Sequence, residues 1–206
     1  MKIIQMPVGI FDANCYILFC KKTLEAAVID PGGEGESILK QILDNNLKLK
    51  YILITHGHFD HIGAVKYLKA KTRAKVLIHG DDAPNLMDVY KNLSYSMGNE
   101  CIQIKPDMML QDGDELSIGD IKAKVLYTPG HSPGGICILI PDKAIFTGDT
   151  LFAGSIGRTD FVGGDQDLLI NSIEQKLMVL DDDIIVYPGH GGVTTIGKER
   201  QNNSFI

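Results

Sequence analysis

The sequence has no tryptophan, only four cysteines, and no apolar stretch approaching the length of a membrane span. Its longest apolar runs, such as Ile136 to Ile140, are strand-sized and far below the roughly 20 residues that a spanning helix needs. No helical span and no membrane partner are expected. Cys15, Cys20, Cys101 and Cys137 show no Cys-x-x-Cys spacing, which disfavours a thiolate zinc site and reads as reduced, buried thiols. A surplus of positive charge is also missing: 20 Lys and Arg stand against 26 Asp and Glu, for a net charge of −6. Nucleic acid is therefore not an expected partner, because phosphate neutralisation needs clustered cations. The one basic stretch, Lys66 to Lys75, reads as a solvated helix face. The N-terminus opens on Lys2-Ile-Ile-Gln-Met6 without the parts of a signal peptide, so a cytoplasmic location is expected.

What is present is ordinary soluble composition, with 44% hydrophobic and 22% charged residues over 206 positions. That length fits one domain spanning residues 1–206. Lys2 to Met6, Asn14 to Cys20 and Glu25 to Asp30 read as strands of a β-meander. Gly35 to Leu47 reads as a helix, Lys50 to Thr55 as a strand, Ile62 to Lys71 as a helix and Lys75 to His79 as a strand. Asp81 to Lys91 reads as a further helix opened by two acids, and 92–106 as an irregular connection. Turns at Asp112-Gly-Asp114 and Ile118-Gly-Asp120 frame short strands before Ile121 to Tyr127, Ile136 to Ile140 and Ala144 to Thr147. A Gly-rich loop over Gly154 to Gly164, an amphipathic helix over Asp165 to Val179, a strand over Asp183 to Tyr187 and a short polar helix complete the pattern. The order implies an α/β (α+β) protein of mixed sheets covered by helices.

Five of the six histidines fall in three segments, Thr55-His-Gly-His-Phe-Asp-His61, Thr128-Pro-Gly-His131 and Tyr187-Pro-Gly-His190. Each follows an apolar strand, as does Phe146-Thr-Gly-Asp149. Four strand ends thus deliver His56, His58, Asp60, His61, His131, Asp149 and His190 to one sheet edge, the usual place for a ligand site in α/β folds. Two imidazoles one residue apart can face one cation, while Asp60 and His61 at the start of the next helix face another. Two divalent metal ions are implied, zinc first, with iron or manganese as alternatives. Any one of these residues alone would read as a satisfied core or turn residue; the joint pattern does not.

The HxHxDH segment, the later TPGH, the Gly-Asp after a strand and the final PGH resemble the metallo-β-lactamase superfamily along the whole chain. The resemblance implies an αββα sandwich of two mixed sheets. It also implies one metal on His56, His58 and His131, a second on Asp60, His61 and His190, and Asp149 between them. Asp30-Pro-Gly, the Gly154 to Asp160 loop and the Thr194 to Arg200 segment are similar to short glyoxalase-II-type hydrolases. The implied reaction is hydrolysis of a thioester such as S-D-lactoylglutathione by hydroxide formed between the metals, with Asp60 and Asp149 as catalytic ligands. Asp149 and His61 depart from the β-lactamases of this fold, and His58 departs from the flavin-linked diiron relatives, which carry Glu there. Full-length glyoxalase II enzymes continue into a helical glutathione-holding segment, whereas this sequence ends at Ile206. A different thiol carrier, or an ester or lactone, is therefore an expected alternative substrate. Persulfide dioxygenases, which use one iron, share the ligand residues and a loop like Gly157 to Phe161.

Three further residues have paired readings. Arg158 either grips a substrate carboxylate with its forked donors or pairs with Asp160 and orders the loop. Asp30 either orients a ligand histidine or simply turns the chain before Pro31. His79, outside every ligand segment, is expected to be structural. The sequence leaves the oligomeric state open.

Overall fold

The computed structural model describes residues 1–98 and 100–206. Position 99, inside the irregular connection expected over 92–106, lies outside the described residues. The chain forms β1 (Lys2–Val8), β2 (Ala13–Phe19), β3 (Glu25–Ile29), α1 (Gly35–Asp44), β4 (Lys48–Leu53), α2 (Phe59–Ile62), α3 (Val65–Thr72), β5 (Lys75–His79), α4 (Ala83–Met87) and β6 (Met108–Leu110). There follow β7 (Glu115–Ile118), β8 (Ile121–Tyr127), β9 (Ile136–Ile140), β10 (Ala144–Gly148), β11 (Leu151–Phe152), β12 (Ser155–Ile156), α5 (Gln166–Ser172), β13 (Ile185–Pro188), β14 (Thr194–Thr195) and α6 (Ile196–Asn202). A wider helical turn, Ile173–Leu177, extends α5.

Strands β1 to β6 make one six-stranded sheet in sequence order, and β14-β13-β10-β9-β8-β7 make the other. Each is mixed: β3 to β6 run parallel, as do β10 and β13, and the remaining pairs are antiparallel. The two-residue side-chain period of a strand sorts the core into layers. In β2, Tyr16 and Leu18 point into an inter-sheet layer with Ile29, Leu53, Ile138 and Phe146. The alternate residues Cys15, Ile17 and Phe19 pack under α1 and α3 against Ile38, Ile52 and Leu68. On the outer face of the second sheet, Ile145 and Val186 meet Leu169, Ile173 and Leu177 of α5 and its extension. The result is the expected αββα sandwich. Each fully buried Ile, Leu or Phe contributes about 1.5–3 kcal/mol, so the three apolar layers fix the sheet positions and hence the strand ends.

Local chemistry explains most boundaries. The Asp165 carboxylate accepts from the Leu168 amide at 3.0 Å and starts α5, and Thr195 does the same for Lys198 at α6. Two expectations fail. The helix expected over Asp81 to Lys91 is only the five residues of α4, because Asp82 turns inward to other partners and Asp88 is extended, with φ −119° and ψ 112°. The cysteines are not all buried: Cys101 is exposed, since it lies on the irregular connection rather than in a strand. No helix among the described residues is long and apolar enough to cross a membrane.

Candidate metal centre

The turn after β4 places His56 and His58 side by side, and α2 begins at once, so Asp60 and His61 sit within its single turn. The turns after β8, β10 and β13 bring His131, Asp149 and His190 to the same edge. The seven side chains form three overlapping groups: His56, His58 and His131; His56, His61 and Asp149; and Asp60, His61 and His190. Within each group one ligand atom per residue lies within 4.8 Å of the others. His131 Nε2 is 3.0 Å from His58 Nδ1. His61 Nε2 is 3.4 Å from Asp149 Oδ1, and His190 Nε2 is 3.3 Å from Asp60 Oδ2 and 3.7 Å from Asp149 Oδ2.

Backbone and buried side chains aim these rings. His131 Nδ1 donates to the Arg158 carbonyl at 2.7 Å, which leaves Nε2 as its lone-pair nitrogen. Asp30, 2% exposed, meets His61 Nδ1 at 3.1 Å and accepts from the Thr55 amide and hydroxyl at 2.7 and 2.6 Å. The Thr55 hydroxyl in turn lies 3.1 Å from His56 Nδ1. Asp30 is therefore the residue that orients His61, and its backbone holds φ 50° to do so, a region that L side chains seldom adopt. From the first sheet, the Asn14 side chain donates to the carbonyls of Pro188 and Gly191, and the Tyr16 hydroxyl to that of Pro188 at 2.6 Å. They hold the turn carrying His190. Gly189 is obligatory there, because a Cβ would run into Asp149 Oδ1.

Sequence reasoning missed Asp82. This fully buried carboxylate accepts from the Gly57 amide (2.7 Å), the Gly134 amide (2.8 Å), the Ser132 hydroxyl (3.0 Å) and the Asn85 amide (3.0 Å). It ties the His56–His58 turn to the His131 turn. The only local signal is an acid just after a strand end. His79 lies outside the cluster, stacked on Tyr127 with ring centroids 4.3 Å apart.

Burial and the facing His131 ring push His58 down to about 3. Burial, with the charges of His61 and His131, likewise holds His56 well below the ordinary imidazole value. Burial, the largest single influence, would raise the Asp149 carboxyl, but the charge and hydrogen bond of His61 with the charges of His56 and His131 together outweigh it and hold the group well below the carboxylate range. Among the described residues, three buried side-chain atoms have no hydrogen-bond partner: His56 Nε2, His61 Nε2 and Asp149 Oδ1. Buried polar atoms are nearly always partnered, so three orphans on residues grouped within 4.8 Å fit cation binding. The donor set of imidazole nitrogens and carboxylate oxygens suits zinc, iron or manganese.

The family model of the metallo-β-lactamase superfamily matches residues 8–190. The chain belongs to the metallo-β-lactamase superfamily. The hydroxyacylglutathione hydrolase GloC of Haemophilus influenzae is 40% identical to it over 209 residues, covering 100% of this chain and 98% of that protein. Among solved structures, the protein described as BLEG-1 B3 metallo-β-lactamase superposes with a TM-score of 0.94 at 38% identity, covering 99% of both chains. TTHA1623, described in a di-iron-bound form, gives 0.88 at 34% identity over 98% of this chain and 100% of its own. This superfamily member is a metal-dependent hydrolase by kinship, with a His and Asp cluster at the expected strand ends. Above the cluster opens a cavity of about 380 Å³. Arg158 stands on its wall, its Nε and Nη2 each 2.6 Å from an Asp160 oxygen and its guanidinium 4.2 Å above the Phe161 ring.

Proposed function

We propose that this superfamily member hydrolyses a carboxylic thioester, S-D-lactoylglutathione being the type substrate, with two divalent metal ions, zinc first and iron or manganese as alternatives. The observation that carries the reading is the convergence of three unpartnered buried atoms, His56 Nε2, His61 Nε2 and Asp149 Oδ1, beneath an open cavity. His56, His58 and His131 would hold one ion, Asp60, His61 and His190 the other, with Asp149 between them. When bound, such a pair lowers the pKa of water and polarises a carbonyl.

The chain's own residues do the rest. Asp30, Thr55 and the Arg158 carbonyl fix ring tautomers, so that the nitrogens facing the cavity keep their lone pairs. Asp149 Oδ2, 3.7 Å from both His131 and His190 Nε2, accepts the proton of the attacking water in a hydrogen bond and turns its lone pair to the substrate. Asp60 Oδ2 lies 3.3 Å from His190 Nε2, so the two would face the same ion. The likeness to GloC supports the thioester; the di-iron form of TTHA1623 supports two metals and leaves iron a rival to zinc.

The test is turnover of S-D-lactoylglutathione by purified, metal-loaded protein, followed as loss of thioester absorbance and release of thiol. Turnover abolished by a chelator and restored by zinc is expected. Asp149→Asn should lower kcat by at least about 100-fold and lose one metal equivalent; full metal and full turnover in that variant would refute the role given to Asp149. Oxygen uptake with a persulfide would move the assignment to a one-iron dioxygenase. Cleavage of a β-lactam alone would move it toward the activity in the BLEG-1 description.

A further inference from the structure

We infer that the cavity selects substrates whose non-reacting end is uncharged and apolar, in preference to a dicarboxylate thiol such as glutathione. The inference rests on the hydrolase reading and adds the class of group the outer site accepts.

Apart from Ser155 and Arg158, the polar residues lining the cavity, His58, Asp60, His131, Asp149 and His190, belong to the metal cluster. Three separate chain segments build the wall above them. Phe11 comes from the β1–β2 turn, Leu93 and Met97 from the irregular connection, and Phe152, Ile156 and Phe161 from the hairpin and loop after β10. Phe11 and Met97 remain 47% and 39% exposed, apolar surface at a cavity mouth that an apolar ligand would cover. The Phe161 ring stands edge-on to His58 at 5.4 Å and Phe152 edge-on to His190 at 6.2 Å, so aromatic faces run from the mouth down to the cluster.

Among the described residues no lysine lines this cavity, and Arg158 is its one lining arginine. That guanidinium is already committed. Two of its nitrogens hold the Asp160 carboxylate at 2.6 Å, its plane lies on Phe161, and its carbonyl is held by His131. The pair carries no net charge. Glutathione's two carboxylates would meet apolar carbon and no free cation, and a carboxylate that loses water without gaining a partner is strongly disfavoured. A thioester or ester of a neutral aromatic or aliphatic thiol or alcohol meets no such penalty.

Binding and turnover separate the two readings. With zinc-loaded full-length protein, calorimetry would compare two thioethers that cannot be hydrolysed and share the sulfur, benzyl methyl sulfide and S-methylglutathione. The benzyl ligand is expected to bind at least about tenfold tighter, and Phe161→Ser to remove most of that advantage. Asp160→Asn, which frees Arg158, is expected to tighten S-methylglutathione several-fold and leave the neutral ligand unchanged. In parallel, kcat/KM for the S-D-lactoyl thioester of phenylmethanethiol should exceed that of S-D-lactoylglutathione. Equal or tighter binding of S-methylglutathione, or no measurable binding of the benzyl ligand, overturns the inference. The benzyl preference without hydrolysis of either thioester upholds it and refutes the hydrolase reading instead.

Discussion

Asp82→Asn removes one oxygen from a buried carboxylate that serves four donors and is not among the residues lining the cavity. If the new amide nitrogen takes the Oδ2 position, it faces the Gly57 amide and the Ser132 hydroxyl. Serine can rotate and accept; the Gly57 N–H cannot. If it takes the Oδ1 position, it faces the Asn85 amide and the Gly134 N–H. Asn85 can flip, and the Gly134 N–H is then the orphan. Either way one buried backbone donor loses its partner, at a cost of about 1–3 kcal/mol, and the surviving bonds lose their charge assistance. Burial already pushes the Asp82 carboxyl above the ordinary carboxylate range, so neutralising it returns some desolvation energy and offsets part of the loss.

The net expectation is about 2 kcal/mol, which at this chain length lowers Tm by roughly 4–8 °C. Asp82→Ala leaves all four donors without their acceptor and should cost about 4 kcal/mol or more, close to the whole stability of a marginal protein. The assay is thermal unfolding of chelated protein, so that bound metal does not contribute. Asp81→Asn is the control, since the Asp81 side chain is 60% exposed and its loss should stay within about 0.5 kcal/mol. Because Gly57 lies between His56 and His58, and Ser132 follows His131, zinc affinity of Asp82→Asn should fall about 10–100-fold as well. A Tm within 1 °C of the parent for Asp82→Asn would refute the claim that this carboxylate joins the two ligand turns.

Gly189→Ala should fold, by circular dichroism, yet bind zinc at least about tenfold more weakly, since the added methyl runs into Asp149 Oδ1; a full metal complement would contradict the packing described. In the native state a thiol reagent should label Cys101 rapidly and spare Cys15 and Cys137, both fully buried, with burial pushing the Cys137 thiol up to about 11; peptide mapping decides, and native labelling of Cys137 would refute it. Hydrogen bonds from Arg158 pull Asp160 down to about 2, below the value of about 3.9 for an unfolded aspartate. Because the folded value is the lower one, the pairing contributes fully above about pH 4 and is lost as pH falls through about 2; carboxyl NMR should find Asp160 ionised at pH 3, and titration near 4 would show the pair to be open.

The strand-end motifs were legible in the sequence because each is local. Two histidines one residue apart, an Asp-His pair opening a helix, and a Pro-Gly-His or Gly-Asp after an apolar strand need only a few consecutive residues to be recognised. The alternation that buries Tyr16 and Leu18 toward one layer and Cys15 and Ile17 toward another is equally local. Kinship turned those motifs into a specific sandwich. What local pattern could not supply were partners far apart in the chain. Asp82 reads as the start of a helix until the fold brings Gly57 and Gly134, 25 and 52 residues away, onto its two oxygens. The early end of α4 is set at its other terminus, where Asp88 is extended and its side chain accepts from the Tyr90 and Lys91 amides. Asn14 and Tyr16 look like ordinary strand residues, and only the packing of the two sheets sets them under the Pro188 carbonyl, 174 and 172 residues on. The choice between Arg158 as a carboxylate grip and as a partner of Asp160 was also open in sequence, and loop geometry placed the guanidinium on Asp160. The sequence by itself determined which atoms can bind metal and which faces are apolar. Only the tertiary structure decided which buried acceptors hold those atoms in place and which side chains meet around the cavity, since both depend on contacts whose cost and benefit appear only when distant segments lose water together.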